Sequence, residues 1–509
     1  MRTSSSPRAV LAVLCLAVFT INLATTITNI ALPTLVAELD ASTRDLLWIV
    51  DGYNLAFAAL VLAMGSLSDR FGRRGALVAG LAVYLAANLA SAWAGSPDVL
   101  VAFRVVAGIG AAMGFPTTLS IISNVFPDRR ERARAIGLWG ASTGISIALG
   151  PIVGGALLEQ FWWGSTFVLC AGLAAVTIVL ALALVPTSAD PTTPRLDLVG
   201  LTLSTAGLGA LVYTIIEAPE RGWGSGTSLT GFAVAVAILA AFTWWERRTD
   251  DPMLDVRLFA NLRFTAASGA VTFAFFALFG FIFLVTQYFQ FILQYGVLEA
   301  GLRQIPVALA VAVTSVVGTA LAVRLGAKAV VTTGLLLLAG GYVWISTVQS
   351  DTGYLAIALQ MVMVGAGMGL TSAPATEAIM GVVPAAKAGI GSAVNDATRE
   401  LGGTLGVAVI GSVALSFYRD ALASSGLPDG IVSTAQESLG AAGAVARATG
   451  DATVLAVAQD GFLDGLQAGC LVAAGVAVVG AVLVARYLPA HPGQEDQQEP
   501  ATPTVPAAA

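Results

Sequence analysis

Apolar residues run through this chain in long, nearly unbroken stretches, and polar residues collect in short connections between them. An α-helix needs about twenty residues, at ~1.5 Å each, to cross ~30 Å of hydrocarbon. Fourteen stretches meet that length, at 9–32, 46–67, 75–95, 98–124, 134–158, 163–185, 198–217, 228–246, 264–291, 300–323, 328–349, 353–380, 386–418 and 460–487. The first exceeds the roughly 7–15 apolar residues of a secretory signal and is expected to be a retained helix.

Charge supports this count. Short loops rich in Lys and Arg stay cytoplasmic. With the N-terminus inside, Arg2, Arg8, Arg70, Arg73, Arg74, Arg129, Arg130, Arg132, Arg134, Arg195, Arg247, Arg248, Arg257, Arg263, Arg324, Lys328, Lys387 and Arg486 all fall on the cytoplasmic side. Only Arg44, Arg221, Arg303, Arg419 and Arg447 fall outside. A different count scrambles the bias, so fourteen is favoured over twelve, with both chain ends cytoplasmic.

An internal repeat organises the spans. Leu321-Ala322-Val323-Arg324-Leu325-Gly326-Ala327-Lys328 aligns with Leu67-Ser68-Asp69-Arg70-Phe71-Gly72-Arg73-Arg74, each after the second helix of a six-helix group. The expected fold is all-α and membrane-embedded, with two parallel six-helix bundles, residues 1–185 and 264–488. Residues 186–263 carry linkers and two inserted spans. Residues 419–459 read as a long Gly/Ala/Ser-rich external loop, and 489–509 as a disordered cytoplasmic tail.

Composition sharpens the class. Of 509 residues, 57% are hydrophobic and 11% charged, with mean hydropathy +0.83, which excludes an ordinary soluble domain. A net charge of −6 excludes a basic nucleic-acid footprint. Cys15, Cys170 and Cys470 lie inside apolar runs, so no disulfide framework is expected. The single histidine, His491, sits in the tail; bis-His haem and His-ligated metal are excluded, and no cofactor or metal is expected. Proton chemistry therefore falls to carboxylates. Arg far outnumbers Lys (Lys328 and Lys387 alone), and Ala and Gly abound, which points to a GC-rich bacterial genome.

Polar residues inside the spans carry the candidate chemistry. An arginine about six residues into the fourth span, Arg104, costs about 2.5–3.5 kcal/mol to insert and should face a wet cavity or a carboxylate, unless it snorkels to the interface. The thirteenth span is the most polar: Asn395-Asp396-Ala397-Thr398-Arg399-Glu400. Asp396 lies ~15 Å deep, with Glu400 on its face at i+4 and Arg399 at i+3. An unpaired buried carboxylate holds its proton near neutral pH, and one beside an arginine loses it. A site alternating between these situations loads and releases a proton; a static Asp396–Arg399 pair joining helices is the alternative. Glu377 sits near the cytoplasmic end of the twelfth span, where snorkelling is equally open. In the fifth span, Gly140/Gly144 and Gly150/Gly154 are small-residue pairs that let backbones approach, and Pro151 bends the helix. Trp48-Ile49-Val50-Asp51 opens the second span, with Asp51 either a buried acid or a helix cap near water. Aromatics of the ninth span, Phe276 among them, with Gln287, either line a lipophilic cavity or face lipid.

Several of these stretches resemble ordered motifs of one family. Gly65-Ser66-Leu67-Ser68-Asp69-Arg70-Phe71-Gly72-Arg73-Arg74-Gly75 resembles the signature loop between helices 2 and 3 of the major facilitator superfamily. Arg104 followed by Gly108, Gly110 and Gly114 is similar to the helix-4 motif of proton-coupled members, in which the arginine is linked to proton transfer. Gly144-x(5)-Gly150-Pro151-x-x-Gly154-Gly155 resembles the antiporter motif of exporters. Ala373 to Met380 with Gly391 to Asp396 looks like the fourteen-helix multidrug branch. The resemblance covers essentially the whole chain and implies a drug:proton antiporter that rocks two halves around a central cavity. It implies that the Asp69–Arg70 loop seals the cytoplasmic side, with Gly65, Gly72 and Arg73. Physically, Asp69 is able to dock at the positive N-terminal end of the thirteenth helix. It also implies that Asp51 helps bind cationic substrate, with Asn29 in the family's first-helix pattern and Asn395 in the core. Ala24 departs from that pattern, which usually has an acid there.

The expected partners are small lipophilic, cationic drugs or dyes, protons and the lipid bilayer, for a monomer in the bacterial inner membrane with no enzymatic activity. Candidate proton-coupling residues are Asp51, Arg104, Glu377, Asp396, Arg399 and Glu400. Uptake or export of a specific metabolite or siderophore keeps the same fold and stands as the alternative.

Overall fold

The computed structural model describes residues 6–39, 41, 43–188, 197–436 and 438–490; a few side chains within helices, Asn29 among them, lie outside this set. The helices in chain order are α1 Pro7–Leu39, α2 Thr43–Phe71, α3 Arg73–Ser91, α4 Pro97–Val125, α5 Arg129–Gln160, α6 Ser165–Leu184, α7 Leu198–Arg221, α8 Gly226–Glu246 and α9 Leu262–Gln287. They continue with α10 Val297–Arg303, α11 Ile305–Leu325, α12 Ala327–Ile345, α13 Tyr354–Met380, α14 Ala388–Ala423, α15 Asp429–Ala435, α16 Leu439–Thr449 and α17 Ala452–Tyr487. Among the described residues, fourteen helices are long and apolar enough to cross a membrane. In hydrocarbon every backbone amide needs an internal partner, which an α-helix supplies. Fourteen crossings bring the start of α1 and the end of α17 to one side, the terminal face.

Local chemistry sets the helix ends. Asp128 caps α5 by accepting from Arg130 N at 2.9 Å and Glu131 N at 3.0 Å; Asp451 caps α17 through Thr453 N at 2.9 Å. Pro306 lacks an N–H, so the tenth predicted span divides at Gln304 into α10 and α11. The segment 419–459, expected to be loop, is largely helical: α14 runs on to Ala423, α15 and α16 follow, and α17 begins at Ala452. Its alanines account for the difference. Ala435, Leu439 and Ala442 bury one apolar face, and the Tyr418 hydroxyl donates to Ala435 O at 2.7 Å. Residues 189–196 of the first linker and the expected tail from His491 onward lie outside the described residues.

Packing repeats between the halves. In the first, α1 packs on α5 and α6, α2 on α4, and α3 on α4 and α6. In the second, α9 packs on α14 and α17, α11 on α13, and α12 on α13 and α17. The chain thus forms two six-helix bundles of like packing plus an extra helix pair. The repeated loops have the same geometry. Gly72 and Gly326 take φ of 107° and 91°, where a side chain is strained. The next amides tie back to the chain leaving the sixth helix of each half: Arg73 N to Ser188 O and Ala327 N to Ala490 O, both 2.9 Å.

Across the seam, α2 and α4 meet α14, and α5 meets α11 and α13. The extra pair docks through α7, which packs on both α2 and α14, while α8 covers α7 from outside. Trp223 just after α7 fixes this dock by donating Nε1 to Ser412 Oγ at 3.1 Å.

Candidate functional site

The terminal face is closed where α2 crosses the start of α14. The first amides of any helix lack internal partners, and Lys387 places no capping side chain on α14. Asp69 on α2 supplies the cap from the other half: its carboxylate accepts from Gly389 N at 2.9 Å and Ile390 N at 3.1 Å. Arg73, one turn on, donates Nε to Asp69 Oδ1 at 2.7 Å and Nη2 to Ala386 O at 2.8 Å. Both side chains are buried. The approach requires glycine twice. A Cβ on Gly65 would lie 2.5 Å from Ala393 Cβ, and one on Gly389 2.6 Å from Gly65 O. Arg70 lies at the end of the same helix, its guanidinium 5.5 Å from the Phe71 ring.

A second ionic cluster bridges the halves on this face. Glu377 on α13 is 1% exposed, its Oε1 3.3 Å from Arg129 Nε on α5 and its Oε2 3.5 Å from Arg263 Nη2 on α9. Arg263 also donates Nε to Ala378 O at 3.3 Å. Glu377 is therefore paired inside the protein and does not snorkel.

Two to three turns into α14 lies a buried polar group. Asp396 accepts from Asn395 Nδ2 at 3.2 Å and Ser392 Oγ at 3.5 Å, and Arg399 Nη1 lies 3.9 Å from its Oδ1. Asn395 also accepts from Thr376 Oγ1 at 2.9 Å, joining α14 to α13. Arg399 is enclosed by rings: its Cζ lies 4.5 Å from the centroid of Phe275, 5.0 Å from Trp139 and 5.4 Å from Phe115. It borders a small cavity of about 40 Å³ between α5 and the second half, lined also by Gly140, Gly144, Phe275, Gln304 and Ser315. The walls are mainly apolar, with few polar groups.

Other candidates stand apart from this cavity. Phe276 and Gln287 are not among its lining residues, whereas Phe275 is. One residue turns a helix by ~100°, so Phe275, Leu278 and Ile282 form the cavity-facing stripe. Arg104 is 1% exposed; its Nε donates to Ile49 O at 3.0 Å, and its guanidinium sits 4.5 Å from the Tyr53 ring. Among the described residues it has no carboxylate partner, so a carbonyl and a ring take the place of the expected acid or water. Tyr53 in turn lies within electrostatic reach of half-buried Glu400 on α14. Asp51 lies within reach of Glu217 on α7, on the side where Trp48 meets Tyr213 at 6.1 Å. It is absent from the cavity lining. The Asn29 side chain lies outside the described residues.

The glycines of α5 seat it against its neighbours. A Cβ on Gly144 would come 2.7 Å from Val311 Cγ1 on α11, and one on Gly155 3.3 Å from Leu298 Cα on α10. Gly150 meets Thr26 of α1, buried Gly154 lies in the same stripe, and Pro151 packs against Gly301. Sequence reasoning missed Phe115, Trp139, Arg129 and Arg263. An indole beside the α5 glycines was the available signal for Trp139.

Comparison with known proteins agrees with this architecture. The family model for the Major Facilitator Superfamily matches residues 14–407. The multidrug efflux pump LfrA of Mycolicibacterium smegmatis is 35% identical over 487 residues, covering 95% of this chain and 96% of that protein. The methyl viologen resistance protein SmvA of Salmonella typhimurium is 33% identical over 425 residues, covering 82% and 84%. Among solved structures, the human organic anion transporter MFSD10 (TETRAN) aligns with a TM-score of 0.63 at 16% identity, covering 94% of this chain and 99% of that one.

Proposed function

Because the chain belongs to the major facilitator superfamily, in its drug:proton antiporter branch, we propose that it exports lipophilic cations from the cytoplasm of a bacterium in exchange for protons. The observation that carries this reading is the α14 group: a carboxylate and an arginine buried beside an apolar cavity between the halves. Asp396 is the favoured proton carrier, with Glu400 one turn away. Its negative charge attracts a cation, and protonation cancels that attraction, so cargo and proton compete for one group. SmvA is named for resistance to methyl viologen, a quaternary aromatic dication, which supports cationic cargo.

The terminal face, rich in arginine, is assigned to the cytoplasm of a monomer in the inner membrane. Asp69 and Arg73 then form the latch that holds this side closed, and Glu377 with Arg129 and Arg263 a second tie. Opening that side breaks both sets of contacts between halves, while the glycine stripe of α5 lets the bundles roll on α11 without separating. Exchange of one proton for one monovalent cation moves no net charge, so the pH difference drives it: each unit supplies about 1.4 kcal/mol, enough for roughly a tenfold cation gradient.

Everted vesicles with an acidified lumen test the reading. Adding ethidium or tetraphenylphosphonium should release protons from the lumen and load the vesicles with cation. Proton-independent uptake of the cation, or no movement of any cation tried, would overturn it in favour of metabolite or siderophore transport.

A further inference from the structure

The setting of Arg399 has a consequence beyond proton coupling. Its side chain is 7% exposed, and its Nη1 has no hydrogen-bond partner. What surrounds it is a box of three rings at 4.5–5.4 Å, the geometry in which aromatic faces attract a cation. The box is firmly built. Trp139 donates Nε1 to Thr118 Oγ1 at 3.0 Å, and Phe115 stands edge-on to it, centroids 5.7 Å apart. Phe115 and Trp139 belong to the first half; Phe275 and Arg399 belong to the second. A guanidinium satisfied by a buried carboxylate would pair closely with it, yet the nearest Asp396 oxygen is 3.9 Å away.

We propose that Phe115, Trp139 and Phe275 form a cation subsite that Arg399 fills when no cargo is bound, so that a monovalent aromatic or quaternary cation enters by displacing the guanidinium toward Asp396. The inference rests on the cation-export reading above and assigns its binding position. Arg399 acts as a tethered competitor: it occupies the rings while protonated Asp396 makes the cargo-free return, and it sets a threshold that weakly stacking cations fail to cross. Because the walls come from both halves, separating them dismantles the box and releases what it holds.

The test is equilibrium binding of tetraphenylphosphonium and ethidium to the purified full-length protein at one fixed pH. Arg399→Gln should bind both probes about tenfold more tightly than wild type, the scale of one desolvated cation–ring contact. Arg399→Lys, whose compact ammonium fits the box less well, should gain less. In a Trp139→Leu or Phe275→Leu background the Arg399→Gln gain should vanish; using two cage variants guards against one failing to fold. Unchanged or weaker binding by a folded Arg399→Gln protein overturns the proposal. So does a gain that survives in both cage-deficient backgrounds, since charge removal alone would then explain it. If wild type and Arg399→Gln both bind a neutral lipophilic dye but neither cation, the export reading falls with it; if wild type binds cations and Arg399→Gln merely matches it, only the subsite falls.

Discussion

Asp69→Asn tests the latch most directly, because among the described residues Asp69 is the side chain that caps a helix of the opposite half. Its carboxylate accepts two amides of α14. Asparagine keeps one carbonyl oxygen for one of them and turns an NH2 toward the other. One charge-assisted bond is lost, about 2 kcal/mol, and the remaining bond loses its charge, about 1 kcal/mol more. The Arg73 contact with Asp69 lies within the first half and persists when the halves part, so it cancels from the gate equilibrium. A loss of about 3 kcal/mol moves the closed-to-open ratio roughly a hundredfold, enough to take a 99:1 gate to near parity. Nitroxides at Arg130 and Leu325, on opposite halves of the terminal face, read this as a pulsed electron-resonance distance distribution. Wild type should give one short population and Asp69→Asn two, with efflux crippled and membrane insertion normal. A single short population together with full vectorial efflux in the variant would refute the reasoning.

Three further outcomes are expected. Asp396→Asn should abolish proton-driven ethidium efflux in everted vesicles while leaving cation exchange down its own gradient; retained uphill efflux would remove Asp396 from the coupling path. Glu377→Gln should lower stability by about 2–3 kcal/mol, since two arginines lose a charged acceptor, seen as a lower thermal midpoint in detergent; an unchanged midpoint would make the cluster energetically silent. Gly144→Val adds carbon where a Cβ already lies 2.7 Å from Val311. It should reduce efflux of bulky cations at least tenfold with normal expression, and full activity would show that α5 does not need this approach.

Much of this was legible in the sequence because its signals are local. Apolar runs of membrane length mark the spans, and the loop from Gly65 to Gly75 marks a helix end whose acid sits one turn from its arginine. Its counterpart at 321–328 keeps Gly326 and loses the acid at Val323. The family matches agree with the resemblance those motifs carried. What stayed hidden depends on side-chain direction and on contacts distant in sequence. The ring box draws on α4, α5 and α9, and no spacing rule links Phe115, Trp139 and Phe275. Of the ninth-span aromatics, Phe275 lines the cavity and Phe276 does not, a difference of one residue and ~100° of helix rotation that composition does not resolve. Asp51 comes within electrostatic reach of Glu217 because α7 docks against α2, which no motif encodes. In 419–459, alanine made two short helices where glycine and serine read as loop.

The paired ties from Arg73 to Ser188 and from Ala327 to Ala490 have a mechanical meaning. Each staples the junction after the second helix to the strand of chain leaving the sixth, closing every bundle into a ring at its base. A ring of that kind resists shear, so force applied at one rim is delivered to the other as rotation and is not absorbed by sliding between neighbours. In the proposed rocking the two bundles then turn as stiff bodies, and the acid missing at Val323 leaves only the first with a side chain that caps a helix of the other.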